Sequence, residues 1–218
     1  MPNPPRAERR RQQHRDEARR IILDSAAELT AESSFSGFSV RALVDRCGYS
    51  APTIYHYFGD KHGLLDALVE DSLQTLVRDM RGVPISVDPL ETLRALTLCF
   101  GNWGLENPTY YHLLTQPRAD DAEPLESGEV SAGMLTEPLA KLVEKGRIEE
   151  SETEILRQSL WACLHGLISL PAIRPDLDWK KDLLETSVDR ILKGWLSSSF
   201  DGEATSQTSN HVLRKIER

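Results

Sequence analysis

Five consecutive residues, Gly48-Tyr49-Ser50-Ala51-Pro52, constrain the local architecture more tightly than any other part of the chain. Gly48 suits the end of a helix, Ser50 suits the start of the next, and Pro52 then falls in that helix's first turn. A proline in a helix interior removes a hydrogen bond and clashes with the preceding turn. In the first turn its missing N–H costs little, because those donors have no intrahelical partner. The run therefore predicts two helices meeting at a turn of a few residues. Upstream, FSVRALVDRCGYS reads as a short helix with Ser39 as N-cap and Leu43 and Val44 facing inward. Before it, Ala18, Ile21, Ile22, Ser25, Ala26 and Leu29 fall at i, i+3, i+4, i+7, i+8 and i+11, one face of a longer helix. Thr30 to Gly37 ends that helix in small and polar residues.

A longer helix closed by two short ones at a tight turn is a helix-turn-helix unit, whose last member can lie in a DNA major groove. On that member Ile54 and Phe58, four apart, are predicted to pack inward, which sends Thr53, His56 and Tyr57 to the opposite side and Tyr55 to the flank. A tyrosine offers an apolar face to a sugar or thymine methyl group and a hydroxyl to a phosphate or base. The same rings could instead cover a small core, and spacing alone leaves both roles open. Lys61, just past the helix, is positioned for a phosphate.

Charge separates along the chain in the same sense. The 218 residues carry a formal charge of -8, yet residues 1–62 hold ten basic and eight acidic side chains, so they are +2 and the remainder is -10. Residues 1–20 alone hold seven arginines against three acids. A polyanion would meet a basic N-terminal end on an acidic body, although such a run is also what a solvated helix start looks like.

The stretch GFSVRALVDRCGYSAPTIYHYFGDKHGLLDALV resembles the DNA-binding segment of TetR-family transcriptional regulators, whose signature runs through a glycine turn to T-apolar-Y-x-H/Y-F-x-x-K-x-x-L. The likeness covers residues 16 to 75. It implies that Ser39 and Arg41 contact phosphate or base at the start of the second helix, and that Ser50, Ala51, Thr53, Tyr55, His56, Tyr57 and Lys61 do so on the third helix and its exit. His62 and Gly63 depart from the family pattern and predict a weaker start to the fourth helix.

The other two thirds also read as helical. Leu64 to Met80 is amphipathic through Leu65, Leu68, Val69, Leu76 and Met80, and would couple the head to the rest of the chain. After the breaks at Gly82, Pro84 and Pro89, helices are expected over 90–106, 109–115 and 134–144, with 116–127 an acidic loop and Pro138 a kink or late start. The segment 153–170 is apolar around most of its circumference from Leu160 onward, and 179–196 aligns Leu184, Val188, Ile191, Leu192 and Trp195 on one face. A helix apolar all round must be buried all round. That burial comes either from an intrachain bundle or, as the resemblance implies, from the same two helices of a second copy in a homodimer.

Trp161, His165 and Gly166 resemble the Trp…His-Gly motif of one C-terminal domain type in the family. The resemblance implies a cavity for a small hydrophobic effector with His165 as its polar point and Trp161 as its roof. Phe100, Trp103, Tyr110, Tyr111 and Met134 are candidate walls, and ordinary core packing explains the same residues equally well.

Other chemistries find little support. Cys163 and His165, two apart on a helix, point to nearly opposite sides and cannot form a thiolate–imidazolium pair. His56 and Asp60 have metal-ligand spacing but no evident third ligand, so no metal, no cofactor and no catalytic residues are expected. Cys47, Cys99 and Cys163 read as small buried thiols. No apolar run is long enough for a membrane span and no h-region follows the first arginines, which gives a cytoplasmic expectation.

The expected protein is all-α, with a basic arm over 1–15, a helix-turn-helix head over 16–63, an effector-binding and dimerisation domain over 64–198, and a tail over 199–218. Its expected function is repression from a palindromic double-stranded DNA operator, released by the effector. A DNA-anchored dimer whose C-terminal domain binds a protein partner is the alternative.

Overall fold

The computed structural model describes residues 6–32, 38–116 and 124–197, and every regular element among them is helical. In chain order they are α1 (Arg6–Glu32), α2 (Val40–Cys47), α3 (Ala51–Phe58), α4 (Lys61–Arg81), α5 (Pro89–Glu106), α6 (Pro108–Leu114), α7 (Glu126–Gly133), α8 (Thr136–Glu144), α9 (Thr153–Ile173) and α10 (Leu183–Ser197). A 3-10 turn over Glu150–Glu152 leads into α9.

Local signals account for the first four helices. Ser39 Oγ accepts from the Ala42 N–H at 3.2 Å and Ser50 Oγ from the Thr53 N–H at 3.3 Å, while Gly48 takes φ +75° to close α2. A left-handed residue at that position is what glycine permits at no steric cost. Helix α1 runs back to Arg6, so residues 6–15 of the expected arm form its first turns. Its buried face is Ala18, Ile22, Leu23, Ser25, Ala26 and Thr30. Ile21, expected inward, is 40% exposed. The helix is held between α2 and α4, so its contact arc is rotated from the row that spacing alone selects.

Gly63 sits where two backbone segments approach closely. A Cβ there would stand 2.0 Å from the Phe58 carbonyl oxygen, so glycine lets α3 fold directly back into α4. Asp60, whose spacing from His56 suits a metal ligand, instead caps α4 by accepting from the Gly63 N–H at 2.8 Å.

Two cores result. Ile22, Leu23, Ala26, Phe38, Leu43, Ile54, Phe58, Leu64, Leu65 and Leu68 form the head core. Val69, Leu73, Leu76 and Met80 of α4 enter the body core with α5, α6, α8, α9 and α10. One helix thus passes from core to core between Leu68 and Val69, past the expected boundary at residue 63, because the first two turns of α4 pack against the head. Each fully buried leucine or isoleucine contributes about 1.5–3 kcal/mol.

In the body, α5 makes its closest approaches at two glycines. A Cβ on Gly101 would lie 2.7 Å from Leu184 Cδ1, and one on Gly104 would lie 2.5 Å from Ile168 Cδ1. Gly166, read as a site of helix approach, has nothing among the described residues within 4 Å of a Cβ. Helix α9 buries Leu156, Leu160, Leu164 and Ile168 but leaves Trp161 57%, Leu170 48% and Ile173 70% exposed. Among the described residues, then, part of its apolar circumference stays uncovered.

Helix α7 departs from the sequence expectation, since 116–127 reads as loop; 117–123 of that loop lie outside the described residues. Pro138 falls in the first turn of α8, consistent with a late start. Helix α10 starts at Leu183 rather than 179, because Trp179 Nε1 donates to the Arg174 carbonyl at 2.8 Å and holds the preceding residues in turns. All three cysteines are free and half-buried rather than fully buried. Burial pushes the Cys99 and Cys163 thiols up, away from reactive thiolate. The expected tail lies outside the described residues. No helix among the described residues is long and apolar enough to cross a membrane.

Candidate nucleic-acid interface and ligand cavity

With Ile54 and Phe58 buried in the head core, the opposite side of α3 is presented outward. Tyr55 and His56 are exposed, Ala51, Thr53 and Tyr57 are half-buried, and Lys61 and Arg41 are exposed at the flanks. The candidates differ in what already engages them. Ser39 and Ser50 are both N-caps, and Ser50 Oγ also shares a 2.8 Å hydrogen bond with Thr53 Oγ1. The Tyr57 ring packs against the head core and meets His56 edge-on at 5.6 Å between centroids. The Lys61 ammonium lies 5.9 Å from the Phe38 ring centroid. Arg41 makes no hydrogen bond or ion pair among the described residues and can turn wholly to a ligand.

Arg19 is not among the residues that the sequence singles out. Its guanidinium lies 5.2 Å from the ring centroid of Phe58, the last residue of α3, and so ties α1 to the recognition helix. A cation and an aromatic ring so far apart in sequence leave no local signal. Arg46 likewise clamps α2 onto α1 through Glu32 at 2.9 Å, which holds the Glu32 carboxyl below the usual carboxylate range.

The body contains a half-open cavity of about 430 Å³ between α5, α6, α7 and α9. Of the candidate wall residues, Phe100, Tyr111 and Trp161 line it, joined by Thr97, Leu160 and Leu164. Its two charged lining residues, Glu129 and Arg157, are exposed and so lie toward its mouth. Four other expected wall residues lie elsewhere. Trp103 faces a polar groove with Asp79 and Cys99. Met134 lines a separate cleft between α8 and the segment after α4. Tyr110 packs against both cores at the junction of head and body. His165 borders an outer pocket beside the cavity, and its Nδ1 lies 3.3 Å from the Tyr111 hydroxyl in a shared hydrogen bond. It also stacks on Trp161 at 6.0 Å. Tyr111 is almost fully buried, and burial pushes its hydroxyl up to about 12, so it stays neutral at physiological pH.

Helices α6 and α7 connect these two regions. On α6, Tyr111, Leu114 and Thr115 just past its end face the cavity, while Tyr110 and Leu113 reach both cores. On α7, Gly128, Glu129, Ser131 and Ala132 form one cavity wall. The Glu70 carboxylate of α4 accepts the Ser127 N–H through both oxygens, at 3.1 and 3.2 Å. Residues touching the cavity are thus one helix away from the head.

A three-helix head presenting α3 outward, mounted by one continuous helix on an all-α body with an internal cavity, defines a helix-turn-helix DNA-binding regulator. The chain belongs to the TetR family of bacterial regulatory proteins. Residues 22–68 match the profile described as bacterial regulatory proteins, tetR family, and residues 93–194 match the tetracyclin repressor-like C-terminal domain. The HTH-type transcriptional repressor AcnR of Corynebacterium efficiens is 28% identical over 187 residues, which is 79% of this chain and 93% of that one. In fold the chain is similar to the TetR-family regulator PfmR of Thermus thermophilus, with a TM-score of 0.59 and 24% identity over 79% of this chain and 97% of that one. It is also similar to the regulator FadR of Bacillus subtilis, solved with stearoyl-CoA, with a TM-score of 0.63 and 19% identity over 81% of this chain and 97% of that one.

Proposed function

We propose that this protein is a homodimeric transcriptional repressor that leaves a palindromic operator when a small, largely apolar effector enters the cavity between α5, α6, α7 and α9. The observation that carries this reading is the two-sided placement of α6, with Tyr111 and Leu114 toward the cavity and Tyr110 and Leu113 against the head core. A ligand that displaces α6 or α7 must strain the packing of α4, which carries the head. Such a ligand weakens DNA binding only to the extent that it prefers the non-binding arrangement.

Dimerisation is supported by the exposed side of α9 that carries Gly166, Leu170 and Ile173, where the two apolar side chains stand uncovered among the described residues. A palindrome requires two copies of α3 about one DNA turn apart, a spacing that a two-fold dimer can supply. In this reading Arg41, Tyr55, His56, Tyr57 and Lys61 contact DNA, with Ser39, Ser50, Ala51 and Thr53 shaping the helix ends behind them. A cavity of this size favours a small effector over a protein partner for the body.

The test is selection of bound fragments from randomised DNA by the purified protein, with His56→Ala in parallel. The expected result is a palindromic motif that weakens in the variant. Recovery of sequence-blind, salt-sensitive binding alone would reject the operator-reading role of α3.

A further inference from the structure

The chemical class of the effector can be read from the charges at the cavity mouth, an inference that rests on the effector reading above. Arg157 is the one basic side chain lining the cavity among the described residues, and it is already neutralised. Its Nε donates to Glu154 Oε2 at 2.8 Å and its Nη2 to Glu154 Oε1 at 2.6 Å, and this guanidinium holds the Glu154 carboxyl below the usual carboxylate range. Glu129, on the opposite wall, makes no ion pair or side-chain hydrogen bond among the described residues. Among the described residues the cavity lining therefore carries one uncompensated negative charge.

The remaining walls select in the same direction. Phe100, Tyr111 and Trp161 present three aromatic rings, whose faces attract cations and repel anions. The Tyr111 hydroxyl is directed to His165 rather than held free to donate to an anion. Beyond the mouth, residues 63–218 carry a formal charge of -10, which concentrates small cations and repels carboxylates before they arrive.

We infer that the cavity takes an apolar monocation, with its body against Phe100, Tyr111 and Trp161 and its charge at the mouth beside Glu129. A lipophilic amine or quaternary ammonium compound of a size matching about 430 Å³ or less has this chemistry.

Three matched probes test it by calorimetry and tryptophan fluorescence on the full-length protein: phenethyltrimethylammonium, its carbon isostere 3,3-dimethylbutylbenzene, and 4-phenylbutanoate. The expected order is cation first, with the isostere at least about tenfold weaker, a difference of roughly 1.4 kcal/mol, and the carboxylate weakest. Glu129→Gln should remove most of the advantage of the cation over the isostere. Trp161→Leu, which keeps an apolar wall, should weaken the cation more than the isostere. Equal or tighter binding of the isostere or carboxylate overturns the charge assignment and leaves the effector cavity standing. If none of the three binds while the operator is still recognised, both the charge assignment and the effector cavity fall.

Discussion

Glu70 and Ser127 lie 57 residues apart, and the carboxylate of the first closes the N-terminus of the helix that holds the second. Helix α7 has no side-chain cap of its own, and Ser127 is buried, so Glu70 supplies the acceptor that a local serine or aspartate gives most helices. It does so two residues beyond Leu68, where α4 leaves the head core. Glu70→Ala should lower stability by about 1–3 kcal/mol, since it leaves the N–H and the hydroxyl of Ser127 without their acceptor. The amides of α7 should then exchange faster in hydrogen-exchange measurements. Unchanged exchange across α7 would show that Glu70 does not hold the cavity wall to α4.

Tyr57 combines packing with exposure, and two substitutions separate them. Tyr57→Ala should cost about 1–3 kcal/mol of stability through lost packing in the head, and so confounds folding with binding. Tyr57→Phe keeps the ring against the core and should leave the melting temperature nearly unchanged. If the hydroxyl meets a base, Tyr57→Phe should weaken operator binding more than binding to unrelated DNA. Equal losses would confine Tyr57 to packing.

Lys61 offers a charge test independent of sequence. Lys61→Ala should reduce the slope of log affinity against log salt by about 0.9, the amount expected for one lost phosphate contact. The reduction should be similar for operator and unrelated DNA. An unchanged slope would reject a phosphate contact for this lysine.

The glycines of the body make opposite predictions. Gly104→Val should destabilise the monomer fold by about 1–3 kcal/mol, because the new side chain meets Ile168 in a filled core. At Gly166 an added Cβ meets nothing among the described residues, so Gly166→Leu should leave the fold intact while shifting the proposed dimer toward monomer in sedimentation velocity. An unaltered dimer would move the interface away from that turn of α9.

Tyr111 should titrate above an ordinary tyrosine, pushed up by burial to about 12. A raised folded-state value means that its stability contribution is complete below about pH 10, the unfolded value, and is lost as pH rises through about 12. Tyr111→Phe should flatten the stability profile across that alkaline window, as followed by denaturant unfolding at a series of pH values. A profile identical to that of the wild type would show that Tyr111 is not the group responsible.

The head is legible residue by residue because its determinants are local. Gly48, Ser50 and Pro52 fix a turn through backbone rules that act within four residues, and Ile54 and Phe58 face inward whatever lies further along the chain. The sequence determined the all-α class, the turn, the recognition helix and the apolar surplus of α9 for the same reason: capping and periodicity are short-range. The cavity is less legible. Phe100, Tyr111 and Trp161 reach it, but Trp103, Tyr110 and Met134 are equally apolar and go to other surfaces, because composition does not encode which side of a helix meets which neighbour. Helix α7 escapes a sequence reading because its cap comes from Glu70, and the cavity's carboxylate, Glu129, escapes with it. Only tertiary structure decided those points, since they depend on groups brought together by packing across more than fifty residues.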